Sequence, residues 1–496
     1  MSRNTWGPKV RRRDGELGWF AQAAQPDSKM ATARRRTLGQ PPRRARSRVQ
    51  PPRIWGLRPL DVGWVLALNA VLIVGMWVRH GGADGLTSPT AQLTAAGQLT
   101  ALLGTYAALV QIVLMTRSPW LEQLYGMDRL AHWHRWLGFS CTIAISAHVV
   151  FTTAGYALGD GRSLVAETWT LNATFPYVLM ATVGTVFLIM VAVTSLRMAR
   201  RRLRYETWHF IHLYAYLAIA LSFGHVLAVG TDFSNDPVAR GYWIALYAVV
   251  VAMILVFRVG HPMSLALRHR LRVASVVPEA PGVVSVYVTG RGLDRLRARA
   301  GQYFTWRFFA GNGWWRAHPF SLSAAPNGEY LRLTVKQVGD GSADVQRLQP
   351  GTRVAVEGPY GLFTTLRRRH PRTLLIAGGI GITPVRALLE ELPSGKGGTV
   401  VLYRISSWEQ VVFRSELEEL AKAKQATLHY LVGQRGTGEL TQDPLSPRAL
   451  RQMVPDAVQR EVFICGPGGM MLELHRSLRE IGVPDIQIHY ERFALL

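Results

Sequence analysis

The sequence predicts a multi-domain membrane protein: a six-helix transmembrane bundle, then an antiparallel β-barrel domain, then an α/β domain on a parallel sheet. Three observations carry that prediction. The 496 residues exceed the size at which one hydrophobic core stops growing. Six apolar stretches crowd into residues 56–262. After Gly260 the text changes to short alternating runs broken by Gly and Pro, and from Arg372 to repeated strand, glycine turn and helix.

Composition limits the alternatives. Lys plus Arg total 57 against 32 Asp plus Glu, yet 48% of residues are apolar and 15 are Trp, so the chain as a whole is no basic disordered tail. Cys141 and Cys465 stand more than 300 residues apart, which excludes a disulfide framework and any metal-ligand spacing between them. Residues 1–55, with Arg34 to Arg36 and PPRRARSR from Pro41, read as a flexible basic cytoplasmic arm. Because membrane spans follow, its expected partner is an anionic lipid surface and not nucleic acid.

A bilayer core takes roughly 20 apolar residues per helix. Leu60–Val78, Gln98–Met115, Leu137–Ala154, Tyr177–Val193, Ile211–Val229 and Tyr242–Val259 meet or approach that length. The links after the even-numbered spans carry Arg117 and Arg129, then Arg197, Arg200 to Arg202 and Arg204. The odd-numbered links carry Asp84, Asp160, Asp232 and Asp236. The positive-inside rule therefore predicts a multi-pass cell-membrane protein with a cytoplasmic N-terminus and everything after the sixth span in the cytoplasm.

Ionisable groups inside spans are costly unless paired or ligated. The third span holds His134 and His148; the fifth holds His212 and His225, with His209 one turn earlier. Fourteen residues return His148 to within about 40° of the face of His134 and about 21 Å along the axis, close to a bilayer thickness. His212 and His225 match that depth, but their spacing of 13 puts them some 140° apart on a straight helix. Either the helix is distorted near Gly224 or two cofactors are approached from different sides. Paired by depth, His134 with His212 and His148 with His225, these are expected metal ligands of two stacked haems, of b type because no CxxCH motif exists. His209 is expected to support a haem or to sit at the interface.

Residues 268–370 are expected to form the FAD-binding barrel. In HPFSLSAAP, His318, Pro319, Phe320, Ser321, Leu322 and Ser323 give extended backbone and hydroxyls suited to a flavin and its phosphate-bearing chain. Downstream Gly339, Gly341 and Ser342 offer backbone amides for a pyrophosphate. Residues 371–496 form the expected NAD(P)H domain. Gly378, Gly379 and Gly381 of GGIGITP end a strand and leave room for a pyrophosphate, while Thr383 and Pro384 open a helix whose positive end faces it. CGPGGM puts Cys465, Gly466 and Pro467 at the carboxyl edge of the same sheet, where ligands bind. Arg404, Ser406 and Arg414 follow the second strand, where a cationic pair and a hydroxyl suit a 2'-phosphate. This favours NADPH and leaves NADH open.

Taken in order, HRWLGFSCTIAISAH, YETWHFIHLYAYLAIALSFGH, GQYFTWRF, HPFSLSAAP, GPYG, AGGIGITP and CGPGGM resemble the ferric reductase and NADPH oxidase superfamily, in its bacterial form. The resemblance covers Pro59 to the end. It implies a flavocytochrome b with His134 and His212 on an inner haem, His148 and His225 on an outer one, HPFS at FAD and Tyr303 near the flavin. It also implies an aromatic over the flavin near the C-terminus, here Phe493, with three residues after it; Cys465 is expected beside the nicotinamide. Nicotinamide gives two electrons and haem accepts one, so the flavin is needed to divide the pair. The expected activity is electron transfer from cytoplasmic NADPH to a small-molecule acceptor at the outer face, molecular oxygen first. A ferric chelate, a quinone or an extracytoplasmic redox partner is the alternative.

Overall fold

The structure, a computed structural model, describes residues 59–229, 236–311, 316–433 and 443–491. Among the described residues, six helices are long and apolar enough to cross a membrane. They are α1 (Pro59–Arg79), α2 (Pro89–Leu114), α3 (Met127–Asp160), α4 (Val178–Ser195), α5 (Tyr205–Val229) and α6 (Pro237–Ile254). Their outer faces expose Trp64, Leu68, Val71, Val186, Phe210 and Leu217, as lipid contact requires.

Several boundaries differ from the apolar runs. Helix α2 starts at Pro89, nine residues before the apolar stretch, because Ser88 accepts the Ala91 N–H and Pro89 sits where no helical donor is needed. Helix α3 runs 34 residues, since nothing in its polar flanks breaks a helix between Gly126 and Gly161, both at positive φ. The link after it holds a further helix, Leu164–Thr174, capped by the Ser163 hydroxyl. Helix α6 passes through a π-helical turn, Leu255–Gly260, into α7 (His261–His269), so the last span leads directly into the first strand.

Glycines bring α2 and α3 together. A Cβ on Gly97 would collide with Thr152 Oγ1 and lie 3.1 Å from Thr152 N, and one on Gly104 would lie 3.0 Å from Ile145. Small residues at such spacing let helix backbones approach inside a bilayer. By contrast, α3 and α5 make at most isolated Cα approaches within 8 Å. Side chains must span the space between them.

The strands are β1 (Arg272–Ala280), β2 (Val283–Thr289), β3 (Tyr303–Phe308), β4 (His318–Ser321), β5 (Leu331–Lys336) and β6 (Val354–Tyr360), followed by β7 (Arg372–Gly378), β8 (Thr399–Ile405), β9 (Thr427–Val432), β10 (Arg460–Cys465) and β11 (Ile488–Glu491). The first six do not make one continuous barrel sheet. They form two three-stranded antiparallel sheets, β1-β2-β5 and β4-β3-β6, joined by single bridges at Arg272 with Arg353 and Leu322 with Leu333. One core fills the space between them, with Phe304, Trp306, Leu322, Leu333, Val286 and Val288 fully buried. At about 1.5–3 kcal/mol for each large side chain taken out of water, this core is what holds the two sheets face to face.

The last five strands form a parallel sheet in the order β11-β10-β7-β8-β9. All six residues of β10 are buried, as expected of a strand covered on both faces. Helices α9 (Ile382–Glu391), α10 (Arg414–Lys424) and α11 (Gly468–Glu480) follow β7, β8 and β10, and α8 (Asp340–Gln346) lies after β5.

Candidate functional site

In the membrane half, the structure brings the four histidines together in two pairs. The His134 and His212 rings have centroids 5.9 Å apart, and those of His148 and His225 are 6.3 Å apart. Helix α5 stays α-helical through Gly224, so no distortion is needed. Residues some 140° apart leave a helix from its two flanks, and an imidazole is long enough to reach the facing ring from either side.

The rings on α3 are oriented by α2. His134 Nδ1–H donates to the Gln111 carbonyl at 3.0 Å, and His148 Nδ1–H to the Gly97 carbonyl at 2.9 Å, with Thr152 Oγ1 at 3.2 Å. Protonated Nδ1 leaves the Nε2 lone pair free, the arrangement that fixes a metal-binding tautomer. On α5, His212 Nδ1 lies 3.5 Å from Ser195 Oγ and its ring tilts onto Trp208 at 5.0 Å. His225 Nδ1 is buried without a hydrogen-bond partner among the described residues. His209 is exposed, with Arg117 and Arg258 in its electrostatic surroundings. Among the described residues no group of three or more His, Cys, Asp or Glu could hold a metal ion.

In the reductase half, β4 is HPFS itself. His318 stacks on Phe320 at 5.9 Å, and a Cβ on Gly341 would run into the His318 ring, so the two segments expected at FAD meet. Tyr303 opens β3 opposite Ser321 and Tyr360, with its ring 5.7 Å from that of Tyr360. Burial, with Glu122 and Glu491 nearby, pushes its phenol well above the usual range. The hydroxyls divide. Ser323 Oγ is taken up by Arg332 Nε at 3.1 Å and by Thr334 at 2.7 Å, while Ser342 Oγ accepts the Val338 and Gly339 N–H groups and so caps α8. Both are already partnered within the fold.

The glycines of GGIGITP also divide. Side chains on Gly378 and Gly381 would strike Met470 and the Cys465 carbonyl, so these two glycines let the turn after β7 rest on the turn after β10. Gly379, at φ +53°, faces open space. Thr383 is buried and its hydroxyl donates to the Ile380 carbonyl at 3.0 Å; Pro384 is buried in the first turn of α9. Cys465 ends β10 fully buried beside Ala377, and Gly466 and Pro467 lead into α11. Burial, then Glu491, raises its thiol well above the ordinary range, which disfavours the nucleophilic thiolate. Arg404 donates to the carbonyls of Ile405 and Leu431, and Ser406 is exposed at the same sheet edge. Phe493 lies outside the described residues.

Sequence reasoning missed the acceptors of Gln111 and Gly97, although Gly97 and Gly104 at seven-residue spacing in an apolar span are a legible sign of close helix approach. It also missed the buried Arg332–Glu416–Arg386 network that ties β5 to α9 and α10, with Arg332 Nη1 2.9 Å and Arg386 Nε 3.0 Å from the Glu416 carboxylate. No local motif announces such a cluster.

Comparison with known proteins agrees with this division. Residues 100–223 match the ferric reductase like transmembrane component, 271–364 an FAD-binding domain and 375–475 an oxidoreductase NAD-binding domain. The ferredoxin reductase component of 3-ketosteroid-9-alpha-monooxygenase from Mycolicibacterium smegmatis is 33% identical over 46% of this chain and 65% of its own length. The chain thus spans just under two thirds of that relative. Ferredoxin–NADP reductase B of Sorangium cellulosum is 30% identical over 35% of this chain and 77% of its own. The solved flavohem-like FAD/NAD-binding domain of Vibrio cholerae nitric oxide dioxygenase is 26% identical over 45% of this chain and 98% of its own, with a TM-score of 0.36. The chain is therefore a ferric-reductase-like transmembrane component fused to FAD- and NAD-binding reductase domains, and through the latter it belongs to the ferredoxin–NADP reductase family. Its reductase half carries an FAD-binding domain and an oxidoreductase NAD-binding domain, joined to six candidate membrane spans among the described residues.

Proposed function

We propose that the protein carries electrons from cytoplasmic NADPH across the membrane to an acceptor at the outer face, with FAD and two b-type haems as bound carriers. The observation that supports this reading is the pair of facing imidazoles at two depths. Facing imidazoles with ring centres 5.9 and 6.3 Å apart leave room for each pair to hold a metal-centred group, since metal–imidazole bonds run about 2 Å. The space between α3 and α5 and the free Nε2 lone pairs on α3 fit the same group. When bound, a flavin takes a hydride and releases electrons singly, and haem iron passes them one at a time.

The chain's own part is orientation. His134 and His148 are held by α2 carbonyls, HPFS and Tyr303 line the flavin side, and Gly379 leaves the turn after β7 open for the nucleotide phosphates. Cys465 is assigned the place beside the nicotinamide, and Phe493 the cover of the flavin. Cys465→Ala is expected to slow flavin reduction by the nucleotide without changing FAD content, because orientation and not cofactor binding is lost. Equal rates in variant and wild type would remove Cys465 from that role.

Molecular oxygen, giving superoxide, is the first acceptor. A ferric chelate is the second reading, favoured by the match of residues 100–223. Two haems per FAD in a pyridine haemochrome assay are expected, and a ratio of one would refute the relay. Comparing superoxide-dismutase-sensitive reduction with ferric-chelate reduction by the same preparation separates the acceptors.

A further inference from the structure

The link between α2 and α3 is where the membrane half meets the flavin side of the reductase half. Arg117 Nη1 lies 2.6 Å from Glu357 Oε2 and 3.4 Å from Thr305 Oγ1. Arg367 Nη2 donates to the Gln123 carbonyl at 2.8 Å. The Gly361 N–H donates to Glu122 Oε1 at 2.7 Å. Glu122 is the most deeply withdrawn of these side chains, at 2% exposure against 25% and 14% for the Arg117–Glu357 pair.

Glu122 belongs to the short helix Pro119–Tyr125, which is held from both sides. Its neighbour Leu121 is buried with Leu114 and Leu130 at the ends of α2 and α3, while Glu122 reaches out to the turn after β6. The same stretch of chain runs back to Gln111, whose carbonyl orients His134. Immediately before Gly361, β6 pairs with β3 at Tyr360 and Tyr303. An apolar residue could fill the place of Glu122, but it would leave the Gly361 N–H without an acceptor. A buried carboxyl at a seam between two halves is costly and is selected for what it holds.

We infer that Glu122 is a positioning residue that docks the β4-β3-β6 sheet onto the membrane domain and so fixes the path of electrons from the flavin side to the inner histidine pair. The inference rests on the relay proposed above. It assigns to one carboxyl a part in aligning two halves that also meet through the partly buried Arg117–Glu357 pair and the Arg367–Gln123 hydrogen bond.

The surroundings give the docking a pH dependence. Glu122 faces Arg117 on its own link, Tyr360 on β6, Tyr303 on β3 and Glu491 on β11; Glu357 on β6 bonds Arg117, and Asp128 at the start of α3 acts on Glu491. Burial pushes Glu122 up to about 8 from its ordinary 4.5, against the pull of the Gly361 N–H and Arg117. Glu491 is raised as well, by burial and then by Asp128 and Glu122. The docked state therefore holds the proton more tightly than the undocked one. Docking is strongest at low pH, where both carboxyls are protonated, and the share contributed by Glu122 is lost as pH rises from 4.5 through about 8.

The test uses the full-length protein in lipid nanodiscs, mixed anaerobically with NADPH, with flavin and haem absorbance followed separately. Glu122→Ala is expected to keep flavin reduction within about twofold and to slow haem reduction by roughly tenfold or more, as misalignment of reacting groups does. Glu122→Gln keeps a neutral acceptor for Gly361. It is expected to restore the rate and to flatten the decline with pH, leaving only the part that belongs to Glu491. Hydrogen exchange at Gly361 is expected to quicken about tenfold in Glu122→Ala, the loss of one hydrogen bond, and to stay slow in Glu122→Gln. Haem reduction at the wild-type rate in Glu122→Ala, or unchanged exchange at Gly361, would overturn the inference. A wild type that binds no haem would refute the relay instead, and exchange at Gly361 would still decide whether Glu122 docks the two halves.

Discussion

The two helix pairs that present the histidines are built differently. Where α2 meets α3, glycines at 97, 104, 138 and 155 bring backbones so close that α2 carbonyls reach the imidazoles of α3. Where α4 meets α5, Gly184 and Gly224 give close approach to Ala218, Ser222 and Tyr177, but no α4 carbonyl is a hydrogen-bond partner of His212 or His225 among the described residues. One helix thus offers rings already oriented by the fold. The other offers rings whose orientation is left to packing.

The sharpest way to break this contrast, and to test the proposed haem sites, is to remove one histidine from each helix. His148→Ala is expected to lower haem from two to one per flavin and to abolish reduction of outer-face acceptors, while flavin reduction by the nucleotide continues. His225→Ala is expected to retain part of the outer haem, because the oriented ring of His148 remains. Haemochrome ratios measure both. Equal losses would mean that orientation by α2 contributes nothing.

A smaller effect is expected from the glycine contact itself. Gly97→Ala drives a methyl group into Thr152, and overpacking of this kind costs about 1–3 kcal/mol. The relief available is separation of α2 from α3, which draws the Gly97 carbonyl away from His148. Thermal unfolding followed at each haem band should therefore show the outer centre lost first. Loss of both together would place the damage in the bundle as a whole.

Some of this was legible in the sequence and some was not. Depth was legible because the rise of a helix is fixed, so spacings of 14 and 13 residues place four histidines at two levels. The facing of His225 toward α3 was not, because a helical wheel records where a side chain leaves and not how far it reaches. The acceptors on Gln111 and Gly97 are backbone carbonyls of another helix and carry no residue signature. GGIGITP announced its turn, but only contact with CGPGGM shows that Gly378 and Gly381 serve that contact while Gly379 stays open. Glu122 carries no signature in the sequence, since burial by a turn 239 residues later leaves no local trace. The barrel was expected from its short strands, yet those strands settle into two sheets because the chain bridges them only at single points.

Adding or removing an acceptor sharpens the comparison more finely. Thr152 stands four residues after His148, and Val229 stands four residues after His225. Thr152→Val is expected to raise the midpoint potential of the outer centre, because a ligand relieved of an acceptor is less electron-rich and favours the oxidised iron less. Val229→Thr supplies the acceptor that His225 lacks and is expected to lower the same midpoint. Spectroelectrochemical titration should show both shifts at the outer centre alone.

The smallest effect is expected at the inner centre from Ser195→Ala. Ser195 Oγ is 3.5 Å from His212 Nδ1, the outer limit of a hydrogen bond, and also receives the Trp208 Nε1–H at 3.4 Å. Its lone pairs are shared between two weak contacts, so their loss changes the basicity of His212 little. What holds the His212 ring is the Trp208 face, 5.0 Å away and tilted by 31°, with the Arg200 guanidinium 4.6 Å from that indole on its own account. Ser195→Ala should therefore move the inner midpoint by less than Thr152→Val moves the outer one. Trp208→Leu should broaden the inner haem's spectrum by freeing the ring. If Ser195→Ala shifts the inner centre as far as Thr152→Val shifts the outer, then His212 is held by hydrogen bonding as firmly as His148, and the difference between the two helix pairs is confined to His225.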